Sequence, residues 1–86
     1  MGQVIFTLGQ TLEKMGISKN RLAVKSEVRP ATIASIVNGE AKRIEIKTLT
    51  NIIDALIFLN ENEAKPQNRL QKIGIEDVIT YKNDAI

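Results

Sequence analysis

Apolar residues recur at helical spacing near the start of the chain. Leu8, Leu12 and Met15 are separated by four and three residues, which places them on one face of a helix. Thr7 before them is a residue type that caps helix N-termini, and Gly16 after them readily takes the left-handed conformation that ends a helix. The pattern therefore predicts a first helix between Thr7 and Gly16.

A second, short helix is predicted directly afterwards, over residues 19–25. Ser18 is a good N-cap because its hydroxyl can accept a hydrogen bond from a backbone N–H of the first turn. Leu22 and Ala23 are the apolar positions of this segment and are expected to face inward. The segment amounts to about two turns.

A third helix begins at Pro30, whose fixed backbone angle and missing N–H suit the first position of a helix. The predicted helix covers residues 30–38 and ends at the Asn38-Gly39 pair. Its inward residues are Ile33, Ile36 and Val37. A turn of residues 27–29 separates it from the second helix.

The strongest amphipathic pattern predicts a fourth helix from about Lys47. Its apolar positions fall at intervals of three, four and seven residues: Leu49, Ile52, Ile53 and Leu56. This helix is expected to close the core, so that residues 1–59 form the main folded unit.

The two ends of the chain have weaker patterns. Residues 60–68 are polar, include a proline and are predicted to form an exposed loop. Residues 69–86 are too apolar for a solvated tail and are expected either to complete the core or to form a dimer surface. Within them, residues 78–81 are compatible with helix or strand, and residues 4–6 with a short strand or an apolar flap.

Histidine and cysteine are both absent from the sequence. Their absence excludes disulfides, imidazole or thiolate metal sites, and the commonest nucleophiles and general bases of enzymes. The chain also lacks a glycine-rich phosphate loop and a convincing pair of carboxylates. We therefore expect a binding protein with no catalytic activity, no bound metal and no cofactor.

The longest apolar run, residues 55–59, is far shorter than the roughly 20 residues of a membrane-spanning helix. The N-terminus shows neither the basic start nor the small-residue cleavage site of a secretory signal. A cytoplasmic protein without membrane contact is the expectation.

Basic residues are concentrated in the predicted helical part of the chain. The first 59 residues hold eight basic and five acidic side chains, whereas residues 60–86 hold four and five. The net charge of the whole chain is +2. A modest basic surplus on the helical part is compatible with an anionic partner.

Two short helices joined by a turn of about three residues indicate a helix-turn-helix arrangement. The outer face of the third helix then presents short side chains to a DNA major groove about 12 Å wide. The candidate base contacts on that face are Pro30, Ala31, Thr32 and Ser35. The candidate phosphate contacts lie at the start of the second helix and at or after the end of the third: Lys19, Asn20, Arg21, Asn38, Lys42 and Arg43.

Residues 16–23 and 28–39 resemble the signature of the Cro/C1-type helix-turn-helix regulators, also called the XRE family. The similarity lies in the Leu22-Ala23 pair, the apolar turn residue Val28, Ile33 of the third helix and the terminal Asn38-Gly39, all at fixed offsets. It extends over residues 4–59. The resemblance implies an all-α, lambda-repressor-like bundle of four to five short helices, with a fifth helix matched to residues 75–81. It also implies base contacts at Pro30, Ala31, Thr32 and Ser35, and phosphate contacts at Lys19, Asn38, Lys42 and Arg43.

Three positions depart from the family pattern. Glu27 stands where a turn glycine is usual, so either it takes the left-handed conformation, at a cost of roughly 1–2 kcal/mol, or the turn differs. Arg29 replaces the usual Ser or Thr cap of the third helix and adds a cation beside the groove, which makes it a further candidate base contact. The reading face has no Gln, Asn or Arg before Asn38, so DNA shape, Arg29 or an N-terminal arm is expected to share the readout.

The sequence thus predicts a repressor-like, sequence-specific regulator that binds double-stranded DNA as a homodimer. Two copies on half-sites about one helical turn apart double the contacts that one small module can make. The segment around Ile75, Val78 and Ile79 is the candidate dimer surface. The alternative is a protein-interaction module of the same fold, such as an antitoxin that binds an unidentified partner protein.

Overall fold

Four α-helices and a two-stranded antiparallel sheet make up the part of the chain that the structure, a computed structural model, describes, residues 2–83. In chain order these elements are β1 (Gly2–Phe6), α1 (Leu8–Met15), α2 (Lys19–Ser26), α3 (Pro30–Val37), α4 (Ile46–Asn62) and β2 (Ile79–Asn83). Two single-turn 3-10 helices, Pro66–Asn68 and Ile75–Asp77, lie between α4 and β2. The first three predicted helices are confirmed to within one residue at each end.

The hydrophobic core is built mainly by the inner faces of the four helices. The fully or almost fully buried apolar residues are Leu8, Leu12 and Met15 of α1, Leu22 and Ala23 of α2, Ile33 and Ile36 of α3, Ile52, Ala55, Leu56 and Leu59 of α4, and Ala64 and Val78. Val37, Leu49 and Ile53 are half-buried against this cluster. The helical periodicities therefore identified the correct faces.

α1 ends as its sequence predicts, but it begins differently. Gly16 has φ 69° and ψ 31°, the left-handed conformation of a helix C-terminus. Thr7 occupies the N-cap position, yet its side chain does not cap the helix. Its hydroxyl instead donates to the Glu76 carbonyl oxygen, 2.7 Å away. The Thr11 hydroxyl donates in the same way to the Asp77 carbonyl at 2.6 Å, so α1 holds the second 3-10 helix.

The predicted exposed loop of residues 60–68 is wrong at its start. α4 continues to Asn62, and Asn60 and Ala64 are buried. The Asn60 side chain forms two hydrogen bonds with the backbone of Leu70, which let this amide be buried on α4 without an unpaired polar atom. Only the part beyond Ala64 is an exposed connection, and it contains the first 3-10 helix.

The all-α prediction is corrected by the sheet at the ends of the chain. The predicted fifth helix over residues 75–81 is instead one 3-10 turn followed by β2. β2 pairs antiparallel with β1, with Phe6 opposite Ile79 and Gly2 opposite Asn83. Residues 79–81, Ile-Thr-Tyr, are good strand formers, and the partner strand is supplied by the other end of the chain. The expectation of a short N-terminal strand at residues 4–6 is confirmed, and residues 84–86 lie outside the described residues.

The C-terminal segment completes the core of a single chain. Val78 is fully buried, and Leu70 and Ile73 pack against the core cluster. Val78 therefore belongs to the core, one of the two alternatives expected for this segment, and is not part of a free dimer surface. Ile75 is exposed and Ile79 is half-buried.

Candidate nucleic-acid interface

α2 and α3 form the helix-turn-helix, and small and apolar residues let them pack. Ser18 caps α2, because its Oγ accepts a hydrogen bond from the Arg21 amide at 3.0 Å. Ala23 is buried at the side of α2 that faces inward, and Ile33 is buried on α3. Both residues belong to one buried cluster, so a larger side chain at Ala23 would disturb the packing of the core there.

The turn between these helices keeps the backbone path that glycine usually provides. Glu27 has φ 58° and ψ 30°, and it is the one non-glycine residue with positive φ in residues 2–83. The Val28 amide donates to the Ala23 carbonyl at 3.2 Å, and the Val28 side chain is half-buried against the core. Of the two alternatives for Glu27, the structure therefore has the left-handed one.

We expect Glu27→Gly to raise the free energy of unfolding by about 1 kcal/mol. A non-glycine residue in the left-handed region costs roughly 1–2 kcal/mol, part of which is offset by the greater conformational entropy that glycine loses on folding. Urea denaturation measures the change. Glu45→Gly is the matched control, because Glu45 is exposed and has an ordinary φ of −73°. An equal gain in both variants would attribute the effect to lost charge rather than to the backbone.

α3 buries one face and presents the other. Arg29 is at the N-cap position without a side-chain cap, and Pro30 begins the helix. Arg29, Pro30 and Ala31 are exposed, whereas Thr32 and Ser35 are half-buried one turn apart. The side chains on the outer face are short, so the helix is narrow enough to enter a major groove about 12 Å wide.

A groove of about 600 Å³ runs between α3 and the segment that connects it to α4. Its α3 side is lined by Ala31, Thr32 and Ser35, and its other side includes Lys42 and Arg43. The connecting segment folds back because the amides of Glu40 and Ala41 both donate to the Ser35 carbonyl, at 2.9 and 3.2 Å. The structure thereby brings three predicted base contacts and two predicted phosphate contacts to one groove. We call this the α3 groove.

Thr48, in the first turn of α4, also lines the α3 groove, and the sequence reasoning missed it. A hydroxyl residue at a helix start was the available signal, since such positions offer both a side-chain hydroxyl and free backbone N–H groups to a phosphate. The groove also includes two acidic residues, Glu40 and Glu45.

The remaining predicted phosphate contacts lie on other elements. Lys19 and Asn20 are exposed in the first turn of α2. Asn38 is exposed at the C-terminal end of α3, where Gly39 with φ 74° turns the chain away. Within residues 2–83 none of these side chains, nor Lys42 or Arg43, takes part in an ion pair. The positive charges of the basic residues and the side-chain amides of the asparagines are therefore available to a partner.

Arg21, in contrast, is engaged within the chain. Its guanidinium binds the Glu63 carboxylate through two hydrogen bonds, one from Nε to Oε1 at 2.8 Å and one from Nη2 to Oε2. The hydrogen bond from Arg21 lowers the pKa of the Glu63 carboxyl, and the same bond raises the pKa of Arg21. The pair therefore stabilises the fold at pH values above the ordinary pKa of a glutamate. This contribution is lost as the pH falls through the lowered pKa of Glu63.

Lys25 of α2 is also directed to α4, since its Nζ lies 3.7 Å from the centre of the Phe58 ring. Of the three cations of α2, only Lys19 has no partner in the part of the chain that the structure describes. The sequence therefore overestimates α2 as a source of free positive charge.

Neither a membrane-spanning helix nor a cluster of metal ligands is found among the described residues. No helix among residues 2–83 is long and apolar enough to cross a membrane. In the same range no three acidic side chains come together as metal ligands would.

Two helices joined by a tight turn, with the second helix exposed, form a helix-turn-helix. Residues 7–57 match the family model of the Cro/C1-type HTH DNA-binding domain, and the chain belongs to this family. The resemblance given by the sequence is thus confirmed. No curated protein and no solved structure matches the chain. Members of the family are DNA-binding proteins and typically are not enzymes.

Proposed function

We propose that the chain is a sequence-specific transcriptional regulator that binds double-stranded DNA with α3 in the major groove. The observation that carries the proposal is the α3 groove, in which the short polar side chains of α3 and the unpaired cations Lys42 and Arg43 line one depression. A helix that reads base edges needs cations beside it, because phosphate contacts fix its position on the duplex.

The base contacts are assigned to Arg29, Pro30, Ala31, Thr32 and Ser35. Thr32 and Ser35 have hydroxyls that donate to or accept from base edges, and Ala31 offers a methyl group to a thymine methyl. Arg29 is exposed at the start of α3 and has the longest hydrogen-bond-donating side chain of the five. Because single hydroxyls discriminate less than bidentate side chains, we infer that DNA shape contributes to the specificity.

The phosphate contacts are assigned to Lys19, Asn20, Asn38, Lys42 and Arg43. They lie at the N-terminus of α2, at the end of α3 and in the segment after it, so they bracket the reading helix along the backbone. Arg21 is assigned a weaker phosphate contact, because Glu63 takes two of its five N–H donors and offsets its positive charge.

The regulator is proposed to act as a homodimer and as a repressor. A second copy on a half-site about one helical turn away doubles the phosphate and base contacts of this small domain. A dimer that covers about two turns of a promoter excludes other proteins from the same DNA.

Selection of bound sequences from a random duplex library at two salt concentrations tests the proposal. The expected result is a palindromic motif with half-sites one helical turn apart and a binding constant that falls steeply with salt. The absence of a motif, together with no binding at physiological salt, would reject DNA recognition and direct the search to a partner protein.

Ser35→Ala is expected to change the preferred base at one or two positions of each half-site while leaving non-specific binding unchanged. The hydroxyl lines the α3 groove and contributes little to phosphate binding. Repeating the selection with this variant measures the change. Thr50→Ala is the control, because the Thr50 hydroxyl is exposed on α4 and donates to its own helix at Ile46. A uniform loss of affinity for all sequences would remove Ser35 from the base contacts.

A further inference from the structure

The outer edge of β1 is an unprotected strand edge. β1 has one neighbouring strand, β2, and its five residues, Gly-Gln-Val-Ile-Phe, include no charge and no proline. Soluble proteins usually protect a free edge with charged residues, proline or a bulge, because an uncharged edge pairs with other strands. β2 has such a protecting residue, the exposed Lys82. The β1 edge is therefore the one suited to an additional strand.

The pairing of β1 with β2 identifies the backbone groups on this edge. The Thr7 amide donates to the Val78 carbonyl at 2.9 Å, directly after the pair of Phe6 and Ile79. Hydrogen-bonded and non-hydrogen-bonded pairs alternate along an antiparallel sheet. Residues 3, 5 and 7 therefore direct their N–H and C=O groups to β2, and residues 2, 4 and 6 direct theirs to the outer edge.

An apolar pair lies on the sheet beside this edge. Val4 and Tyr81 are directly opposite each other, and they are 56% and 64% exposed. They lie on the same face as Phe6 and Ile79, which are only half-buried. An isolated sheet of two strands is marginally stable unless further strands are added or the sheet packs against a helix. Here the end of the sheet at Phe6 packs against the helical core, whereas the end at Val4 is exposed. The outer half of this sheet thus has both the unpaired backbone and the apolar surface that another strand would cover.

We propose that β1 pairs antiparallel with β1 of a second copy of this chain, so that two sheets join into one of four strands. A two-fold axis at Val4 places Val4 opposite the same residue of the second copy and Gly2 opposite its Phe6. In this register each outward backbone group of residues 2, 4 and 6 meets a complementary group. No like charges meet, because β1 has none.

The four-stranded sheet also joins the apolar side chains of the two copies. The Val4 and Tyr81 side chains of one copy continue into those of the other as a strip across the middle of the sheet. This inference specifies the dimer contact of the regulator and in that sense rests on the proposed function. The contact itself is argued from the sheet alone, so it can be tested without DNA.

Sedimentation velocity over a range of concentrations tests the contact. The expected mass of the unmodified chain is about twice 9.6 kDa, and that of Val4→Lys is 9.6 kDa. Val4 is exposed in one copy, so the fold tolerates lysine, but the two-fold axis would bring two lysines together. Val24→Lys is the matched control: Val24 is 63% exposed on α2, and this variant is expected to keep the dimer mass.

A cross-linking variant decides the case in which Val4→Lys fails to fold. The chain has no cysteine, so Val4→Cys introduces one thiol at the proposed axis. A short bis-maleimide is expected to convert most of this variant into a covalent dimer, and to leave the control Val24→Cys mostly monomeric. A monomeric unmodified chain, an unchanged mass for a folded Val4→Lys, or equal cross-linking of both cysteine variants would overturn the contact.

Fluorescence anisotropy with the selected duplex keeps this inference separate from the proposed function. If the contact is correct, Val4→Lys binds a single half-site like the unmodified chain but loses at least about 10-fold in affinity for the full palindrome. A DNA-binding protein that dimerises independently of Val4 would overturn the contact only. A dimer that depends on Val4 but binds no DNA would overturn the proposed function only.

Discussion

A variant that carries both Lys42→Glu and Arg43→Glu is expected to bind its DNA site at least about 100-fold more weakly than the unmodified chain. Both side chains are exposed, line the α3 groove and have no ion pair within residues 2–83. The change replaces two attractive phosphate contacts with two like charges beside the backbone, and such juxtapositions cost several kcal/mol. The fold should be unaffected, because neither side chain contributes to the core.

The salt dependence distinguishes phosphate contacts from other causes of this loss. Each phosphate neutralised by the protein contributes about 0.9 to the slope of log K against log salt concentration. The double variant should therefore flatten the slope by about 2, measured by anisotropy titrations at several salt concentrations.

Lys65→Glu combined with Lys72→Glu is the matched control. It changes the net charge by the same amount, and both lysines are exposed in the segment after α4 and do not line the α3 groove. If the contacts are local, this control loses little affinity. Equal losses in both double variants would mean that only the total charge of the domain matters, and the assignment of Lys42 and Arg43 would then be withdrawn.

Local patterns were sufficient to predict the first three helices and their inner faces. Each of these helices is bounded by residues whose effect is local, such as Ser18, Pro30 and Gly16. The turn was predictable in position but not in conformation. Glu27 keeps the left-handed turn because the packing of α2 on α3 outweighs a strain of only roughly 1–2 kcal/mol.

The C-terminal third was less predictable because its structure depends on distant partners. Asn60 appears in the sequence as the first residue of a polar run, and its burial follows only from the two bonds to Leu70. β2 forms a strand because β1, at the other end of the chain, provides its hydrogen-bond partners. The residue types of 78–81 do not show that a partner strand lies at the other end of the chain, so helix and strand were both compatible with this segment.

The candidate site was predicted as a set of residues but not as a surface. The sequence named Ser35, Lys42 and Arg43, whereas the groove that unites them depends on backbone bonds to the Ser35 carbonyl. Backbone bonds of this kind have no signature in residue type. The pairing of Arg21 with Glu63 was also not predicted. It depends on the full length of α4, which the sequence pattern underestimated.

We expect Asn60→Ala to lower the free energy of unfolding by about 2–4 kcal/mol. Asn60 is 7% exposed, its Nδ2 donates to the Leu70 carbonyl at 2.8 Å, and its Oδ1 accepts from the Leu70 amide at 2.9 Å. Truncation leaves both partly buried backbone groups without a partner, and each unpaired group costs roughly 1–3 kcal/mol. Urea denaturation monitored by circular dichroism measures the loss.

Asn62→Ala separates this effect from the loss of any asparagine on α4. Asn62 is exposed, and its amide donates only to the Phe58 carbonyl of its own helix, so a change within about 0.5 kcal/mol is expected. Because Leu70 packs against the core and leads towards β2, Asn60→Ala should also speed amide hydrogen exchange in β1 and β2 relative to α2 and α3. Equal exchange and equal stability in the two variants would mean that the strand pairing, rather than Asn60, holds the C-terminal segment on the helices.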